Sequence, residues 1–339
     1  MTLPSSAYTQ LAPEQRMCRV LNGMWQVSGA HGHIEPEAAL AAMLAYHDAG
    51  FTTWDLADHY GPAEDFIGQF RRLLTKERGA VALDTLQAFT KWVPQPGPMT
   101  AAVVTAAIDR SLRRMQVERL DLLQFHWWDY RDRRYLDAIA QLDKLRRAGK
   151  IRALGLTNFD TERLQEILES GAPILTHQVQ YSLIDQRPAA RMAQLCEQRG
   201  VRLLAYGAVA GGLLAERWLG QPEPSRRRLE TASQQKYYQM IEAWGGWALF
   251  QELLITLYGV ARKHDVSLSA IAVSFALEQP AVGGVIVGAR LGASQHIAET
   301  TRALSVTLDD DDHERISAIT CRANDLFSVI GDVGDEYRR

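Results

Sequence analysis

The sequence predicts an α/β chain folded as one closed parallel (β/α)8 TIM barrel. Three observations carry that expectation. Short apolar, β-rich runs recur eight times along the 339 residues, and amphipathic stretches separate most of them. The first run ends in NGMWQVSG, not in the GxGxxG turn that opens a doubly wound dinucleotide fold. No polar linker is long enough to divide the chain, so residues 1–339 read as a single domain.

The strand candidates are 18–23, 51–55, 88–92, 120–126, 151–156, 175–180, 201–206 and 282–288. Helical periodicity covers 36–49, 100–115, 135–148, 161–170 and 188–199. Asp160 suits an N-cap, and Gly149 and Gly200 suit helix stops. Before the first barrel strand the sequence offers at most a short polar arm. Between the seventh and eighth strands, 215–250 reads as an insertion or lid rich in Arg, Gln and Trp. Helices over 251–264 and 269–279 then lead into the last strand, and 309–323 predicts an extra C-terminal helix.

An apolar fraction of 47% is ample for a large core. A net charge of −3 offers no basic surface to nucleic acid. Three widely spaced cysteines make no disulfide framework and no CxxC metal site. The N-terminal stretch lacks the basic-then-apolar pattern of a secretory signal, and no apolar run approaches the ~20 residues that span a bilayer. A cytoplasmic protein with a small-molecule substrate is the expectation. His31 and His33 read as a polar loop, with no further ligand at metal-binding spacing, and Arg226–Arg228 as a solvated loop face.

Barrel chemistry sits where strands end and βα loops begin. The second run ends in Asp55, the third carries Lys91 and the fourth ends in His126, with spacings of 36 and 35 residues, close to one βα unit each. Singly, Asp55 is a turn former, Tyr60 rim packing, Lys91 a solvated lysine and His126 a core histidine. Jointly they share one small volume, where a buried Lys91 requires an anion and Asp55 is the obvious partner. The set then makes a proton donor. Tyr60 is a phenol of ordinary pKa about 10, and a neighbouring ammonium is expected to lower it. His126 would orient a carbonyl oxygen and stabilise charge developing on it. None of these side chains supplies a hydride, so the chemistry requires a nicotinamide cofactor.

The stretches WDLADHY, FTKW, DLLQFHWWD, GLTNF, HQVQYSLID, LLAYG and VIVGARLGASQHIAET, in this order, resemble the aldo-keto reductase superfamily over nearly the whole chain. The resemblance implies a catalytic tetrad of Asp55, Tyr60, Lys91 and His126, with Tyr60 as general acid. It implies NADP(H), with NAD(H) as the alternative, lying over the barrel mouth. Asn158, Gln180 and Thr157 would hold the carboxamide and Tyr206 would stack on the ring. Gly23, Gly207, Gly212 and Gly288 would let the backbone approach the cofactor. At the adenosine end Arg290 and Ser294 suit a 2′-phosphate, with Gln295 and Glu299 near the adenosine. The family commonly has Asn where this chain has Thr300.

Trp25, Trp92, Trp127 and Trp128, at or just after strand ends, and His59, beside Tyr60, are the substrate-pocket candidates. The leading expectation is an NADP(H)-dependent oxidoreductase reducing aldehydes or ketones. The alternatives are a sugar (aldose) or pyridoxal-type alcohol dehydrogenase using the same groups in reverse, and a nucleotide-holding regulatory subunit. A phosphate-sugar isomerase or metal hydrolase would need a carboxylate base or repeated His/Asp ligands at strand ends, and the sequence has neither.

Overall fold

The computed structural model describes residues 3–13, 15–29, 34–293 and 295–338. His31 and His33 therefore lie outside the described residues. The chain starts with an antiparallel hairpin, β1 (Tyr8–Ala12) and β2 (Gln15–Cys18), and enters the barrel through β3 (Val20–Gly23). The remaining barrel strands are β4 (Thr53–Asp55), β5 (Gln87–Trp92), β6 (Leu120–His126), β7 (Ile151–Thr157), β8 (Ile174–Gln180), β9 (Arg202–Tyr206) and β10 (Val282–Gly288). Each pairs in parallel with its neighbours, and β10 pairs with β3 to close the ring of eight.

The hairpin corrects the expected polar arm. Leu11 and Met17 point inward and pack with Leu21, Phe89, Leu122 and Leu204, while Gln10 and Arg16 stay exposed. One apolar side chain per turn of the pleat plugs the bottom of the barrel, too sparse a pattern to read as a strand pair from sequence.

Around the barrel lie α1 (Pro36–Asp48), α2 (Ala63–Arg78), α3 (Ala101–Met115), α4 (Tyr135–Arg147), α5 (Thr161–Glu169) and α6 (Arg191–Arg199). The second of these was not assigned from sequence; its buried Phe66, Ile67, Phe70 and Leu74 recur at helical spacing. Asp160 caps α5 by accepting from the Arg163 amide at 2.7 Å, and Gly200 ends α6 in the left-handed region at φ 69°.

The 215–250 segment runs through single turns at Glu216–Trp218 and Arg226–Arg228 into α7 (Ala232–Trp244) and the start of α8 (Gly246–His264). Trp244, Trp247, Phe250, Leu253 and Leu257 build a core for these helices apart from the main one. Four helices complete the chain: α9 (Leu268–Glu278), α10 (Ile297–Ala303), α11 (Asp310–Thr320) and α12 (Leu326–Ile330). No helix among the described residues is long and apolar enough to cross a membrane.

After α12 the chain returns to the barrel mouth. The Arg187 guanidinium donates to the carbonyl of Asp332 at 2.9 Å and pairs with Glu336 at 3.1 Å, and Asp332 accepts from the Thr161 amide at 2.9 Å. A Cβ at position 334 would lie 2.2 Å from the Asn158 carbonyl, so only glycine allows the tail to lie this close.

Candidate active site

A cavity of about 450 Å³ opens at the C-terminal ends of the strands, lined by Asp55, Tyr60, Lys91 and His126 among others. Register corrects the expected single level: each strand-borne group stands two residues beyond the partner of the one before it. Asp55 sits opposite Gly23 on one side and Phe89 on the other, Lys91 opposite Gln124, and His126 opposite Thr157. The regular βα repeat thus brings all three to the C-terminal ends of their strands, in steps and not at one depth.

Lys91 Nζ donates to Asp55 Oδ2 at 2.6 Å and to the Leu56 carbonyl at 2.9 Å. The other Asp55 oxygen accepts from Gln124 Nε2 at 2.9 Å and Gln178 Nε2 at 2.6 Å. This buried pair has its remaining lone pairs satisfied, the condition under which a buried ion pair is tolerated. Burial pulls the Lys91 pKa down, and the Asp55 charge and hydrogen bond push it back up.

Tyr60 sits on the loop after β4, with Lys91 Nζ 5.1 Å from its ring centroid. The loop is clamped from α3. Arg114 donates to the carbonyls of Asp58 at 2.9 Å and Gly61 at 2.6 Å, and pairs with Glu64 at 3.2 Å and Asp65 at 3.1 Å. The expected acidification of Tyr60 is corrected here. Burial, followed by the charge of Asp55, pushes the phenol above its ordinary value. Lys91 lies over the ring with its charge largely countered by Asp55, so the help it gives the phenolate is outweighed by burial. Tyr60 is fully protonated at neutral pH, the state a donor needs.

His126 stacks on Trp128 with centroids 4.3 Å apart, and its buried Nε2 has no hydrogen-bond partner. Burial, then the positive charge of Arg338, pushes its pKa down to about 3, so the ring is neutral. His177, buried with its Nε2 bonded to the Phe159 carbonyl at 2.8 Å, is lowered to about 4 by the same cause.

These two histidines give a stability prediction. Their folded pKa values lie below the ordinary 6.5, so the unfolded chain takes up protons first. Their contribution is complete above about pH 6.5 and is lost as pH falls toward 4 and then 3. At pH 5 each is expected to cost about 2 kcal/mol relative to neutrality. Denaturant unfolding at pH 7 and pH 5 checks this. A smaller drop is expected in His177→Gln, and an unchanged unfolding free energy in the unsubstituted protein would contradict it.

Of the expected cofactor residues, Gly23, Thr157, Asn158, Tyr206, Gly207 and Gly288 line the cavity. Thr157 Oγ1 is buried without a partner, and Asn158 Oδ1 accepts from the Tyr206 hydroxyl at 2.9 Å. A Cβ at Gly288 would lie 2.1 Å from Gln26 Nε2, so the rim there is narrow. These groups fit a planar amide-bearing ring lying against Tyr206. On β8, Gln178 lines the cavity; Gln180 is buried behind it with its Oε1 unpartnered. Gly211 lines the cavity and Gly212 does not; the Gly212 carbonyl accepts from Trp218 Nε1 at 3.0 Å.

Arg290 and Gln295 are exposed beyond β10, and Ser294 lies outside the described residues. Glu299 accepts from Ser267 Oγ at 2.5 Å and pairs with His296 at 3.4 Å, so its carboxylate is already engaged.

Trp25, His59 and Trp128 line the cavity, but Trp92 and Trp127 are buried in the core. Trp127 Nε1 bonds the carbonyls of Asp129 and Asp132, both at 2.8 Å, and Trp92 packs on Phe125. Alternation along β5 separates Trp92 from Lys91, whereas Trp127 and Trp128 follow the end of β6, where the loop sends the first inward and the second to the cavity. Gln26, Gln178, Lys236, Tyr237 and Tyr337 line the cavity unanticipated by the sequence reading. Only Gln178 carried a local signal, since it shares a face with Gln180.

The family described as the aldo/keto reductase family matches residues 19–320. The flagellar radial spoke protein 5 of Chlamydomonas reinhardtii is 27% identical over 66% of this chain and 49% of its own length; this chain thus spans about half of that relative. The L-glyceraldehyde 3-phosphate reductase of Escherichia coli O157:H7 is 26% identical over 84% of this chain and 83% of that one. The solved structure of a glycerol dehydrogenase from Gluconobacter oxydans superposes with a TM-score of 0.76 at 24% identity, covering 94% of this chain and 96% of that one, a likeness of fold. With the family match running from the first barrel strand through the C-terminal helix that follows the last, the chain belongs to the aldo/keto reductase family.

Proposed function

We propose that this enzyme reduces aldehyde or ketone carbonyls with NADPH, Tyr60 donating the proton to the carbonyl oxygen. The observation that carries the reading is one cavity holding a protonated phenol, a lysine locked to Asp55 beside it, and a neutral histidine whose Nε2 is unpartnered. The nicotinamide cofactor supplies the hydride when bound.

The carbonyl oxygen is received between the Tyr60 hydroxyl and His126 Nε2, where negative charge gathers as carbon is reduced. His126 carries no charge of its own at neutral pH, so it polarises by hydrogen bonding, with its ring orientation fixed by Trp128. Tyr60 gives up its proton as the oxygen becomes a strong base. The nearby Lys91 ammonium stabilises the phenolate left behind, and Asp55 keeps that ammonium in place. In the reverse direction the same phenolate accepts the proton of an alcohol. Trp25, Trp128 and His59 give the substrate side an aromatic wall.

Preference for NADPH rests on Arg290, an exposed guanidinium just beyond the last strand and suited to a 2′-phosphate. Titration with NADPH and NADH, followed by tryptophan fluorescence, is expected to show tighter NADPH binding, since Trp25 and Trp128 line the cavity. Arg290→Ala is expected to weaken NADPH about 10- to 100-fold, the loss of one charged contact, and to leave NADH nearly unchanged. Equal binding of the two nucleotides by the unsubstituted protein would remove the NADPH preference, and no binding of either would remove the reductase.

A further inference from the structure

Lys236 is a cation in the catalytic cavity that the tetrad does not use. It projects from α7, one helical turn after Ser233, and both residues line the cavity. Its Nζ lies 4.8 Å from the ring centroid of Tyr206, 5.1 Å from that of Tyr237 and 4.7 Å from that of Tyr337. It donates a hydrogen bond to the Tyr337 hydroxyl, which is also 3.0 Å from that of Tyr206.

Among the described residues no carboxylate reaches ion-pair distance of Lys236. The acidic groups closest in influence, Glu336 and Asp185, are held by Arg187 at 3.1 and 2.7 Å. The ammonium is thus surrounded by neutral rings and one phenol, and burial brings its pKa down to about 8. A half-buried cation whose nearest carboxylates are committed to Arg187 is under-compensated, and its side chain lines the space where a ligand binds. Tyr337 connects the two ends of the cavity: its ring centroid is 6.5 Å from that of His126 and 6.3 Å from that of Trp128. Lys236 therefore stands one aromatic ring away from the group that receives the carbonyl.

We propose that Lys236, with the Tyr337 hydroxyl, forms an anion subsite, and that the preferred substrates are carbonyl compounds carrying a carboxylate or phosphate several bonds from the reacting carbon. This rests on the reductase reading above and adds the substrate class to it. The phosphates of the cofactor are the other possible source of an anion, and the experiment separates the two.

The test compares matched carbonyl pairs, benzaldehyde with 4-carboxybenzaldehyde and glyceraldehyde with glyceraldehyde 3-phosphate, in the unsubstituted protein, Lys236→Met and Lys236→Arg. NADPH affinity is measured for each by tryptophan fluorescence. The charged-to-neutral ratio of kcat/KM is expected to fall about 10- to 100-fold in Lys236→Met, to recover in part in Lys236→Arg, and to do so at constant NADPH affinity. A ratio that does not change overturns the subsite, as does a parallel fall of both pair members with weakened NADPH binding, which would assign Lys236 to the cofactor. Failure of the unsubstituted protein to oxidise NADPH with any of the four carbonyls would overturn the reductase reading itself, and the subsite with it.

Discussion

Replacing Tyr60 by Phe is expected to lower carbonyl reduction by about 10²- to 10⁴-fold, the usual contribution of a positioned general acid. The substitution removes one oxygen and keeps the ring against which Lys91 rests. The Lys91–Asp55 pair, with its two glutamine partners, makes no hydrogen bond to Tyr60 and is expected to survive intact. Nucleotide affinity is therefore expected to change little, and the loss to appear in kcat. The measurement is a pair: NADPH titration by fluorescence, and steady-state reduction of an aromatic aldehyde. Full turnover in the variant would remove Tyr60 from the mechanism. Since burial raises the phenol above its ordinary value, the reduction rate is expected to show no loss of donor protonation up to pH 9.

Lys91→Met carries the other large effect, and it falls on stability as well as on activity. Asp55 is 4% exposed and Lys91 is 2% exposed. Removing the lysine charge leaves the Asp55 carboxylate buried with only two neutral amide donors, Gln124 and Gln178. Breaking a buried ion pair from one side costs about 3–5 kcal/mol, because the remaining charge is left uncompensated. The variant is expected to unfold at clearly lower denaturant and to lose turnover through the missing stabilisation of the phenolate. Asp55→Asn in the Lys91→Met background should recover part of the stability, since it removes the stranded charge, without recovering turnover. If the double variant is no more stable than Lys91→Met, the pair is not what holds this part of the barrel together.

Much of this was legible in the sequence because a βα repeat puts residues one unit apart on neighbouring strands. Asp55, Lys91 and His126 could be assigned to strand ends facing one volume, but not to one level: the register steps them two residues apart from strand to strand. The residues that escaped belong to two kinds. Some differ from a correct choice only by a strand period: Gln178 and Gln180 share a face, and nothing local says which layer meets the cavity. Others reach the cavity from far along the chain. Lys236 comes from a helix inside 215–250, Tyr337 from a tail that Arg187 ties down, and Arg114 acts from α3 on a loop between β4 and α2. Such contacts leave no periodic trace. The hairpin went unseen for a different reason, because its buried positions mix apolar Leu11 and Met17 with the polar Gln15. The tryptophans after β6 divided in the loop, Trp128 toward the cavity and Trp127 into the core, where its indole finds backbone carbonyls.

The account stands or falls on hydride transfer within this cavity. Its most direct test is a single turnover with NADPH deuterated at C4 of the nicotinamide, one face at a time, against an aromatic aldehyde, with the alcohol product weighed by mass spectrometry. The account predicts one deuterium on the former carbonyl carbon from one face only, as expected if Tyr206, which lines the cavity, fixes how the ring lies. No label in the alcohol, or no consumption of NADPH at all, would contradict it.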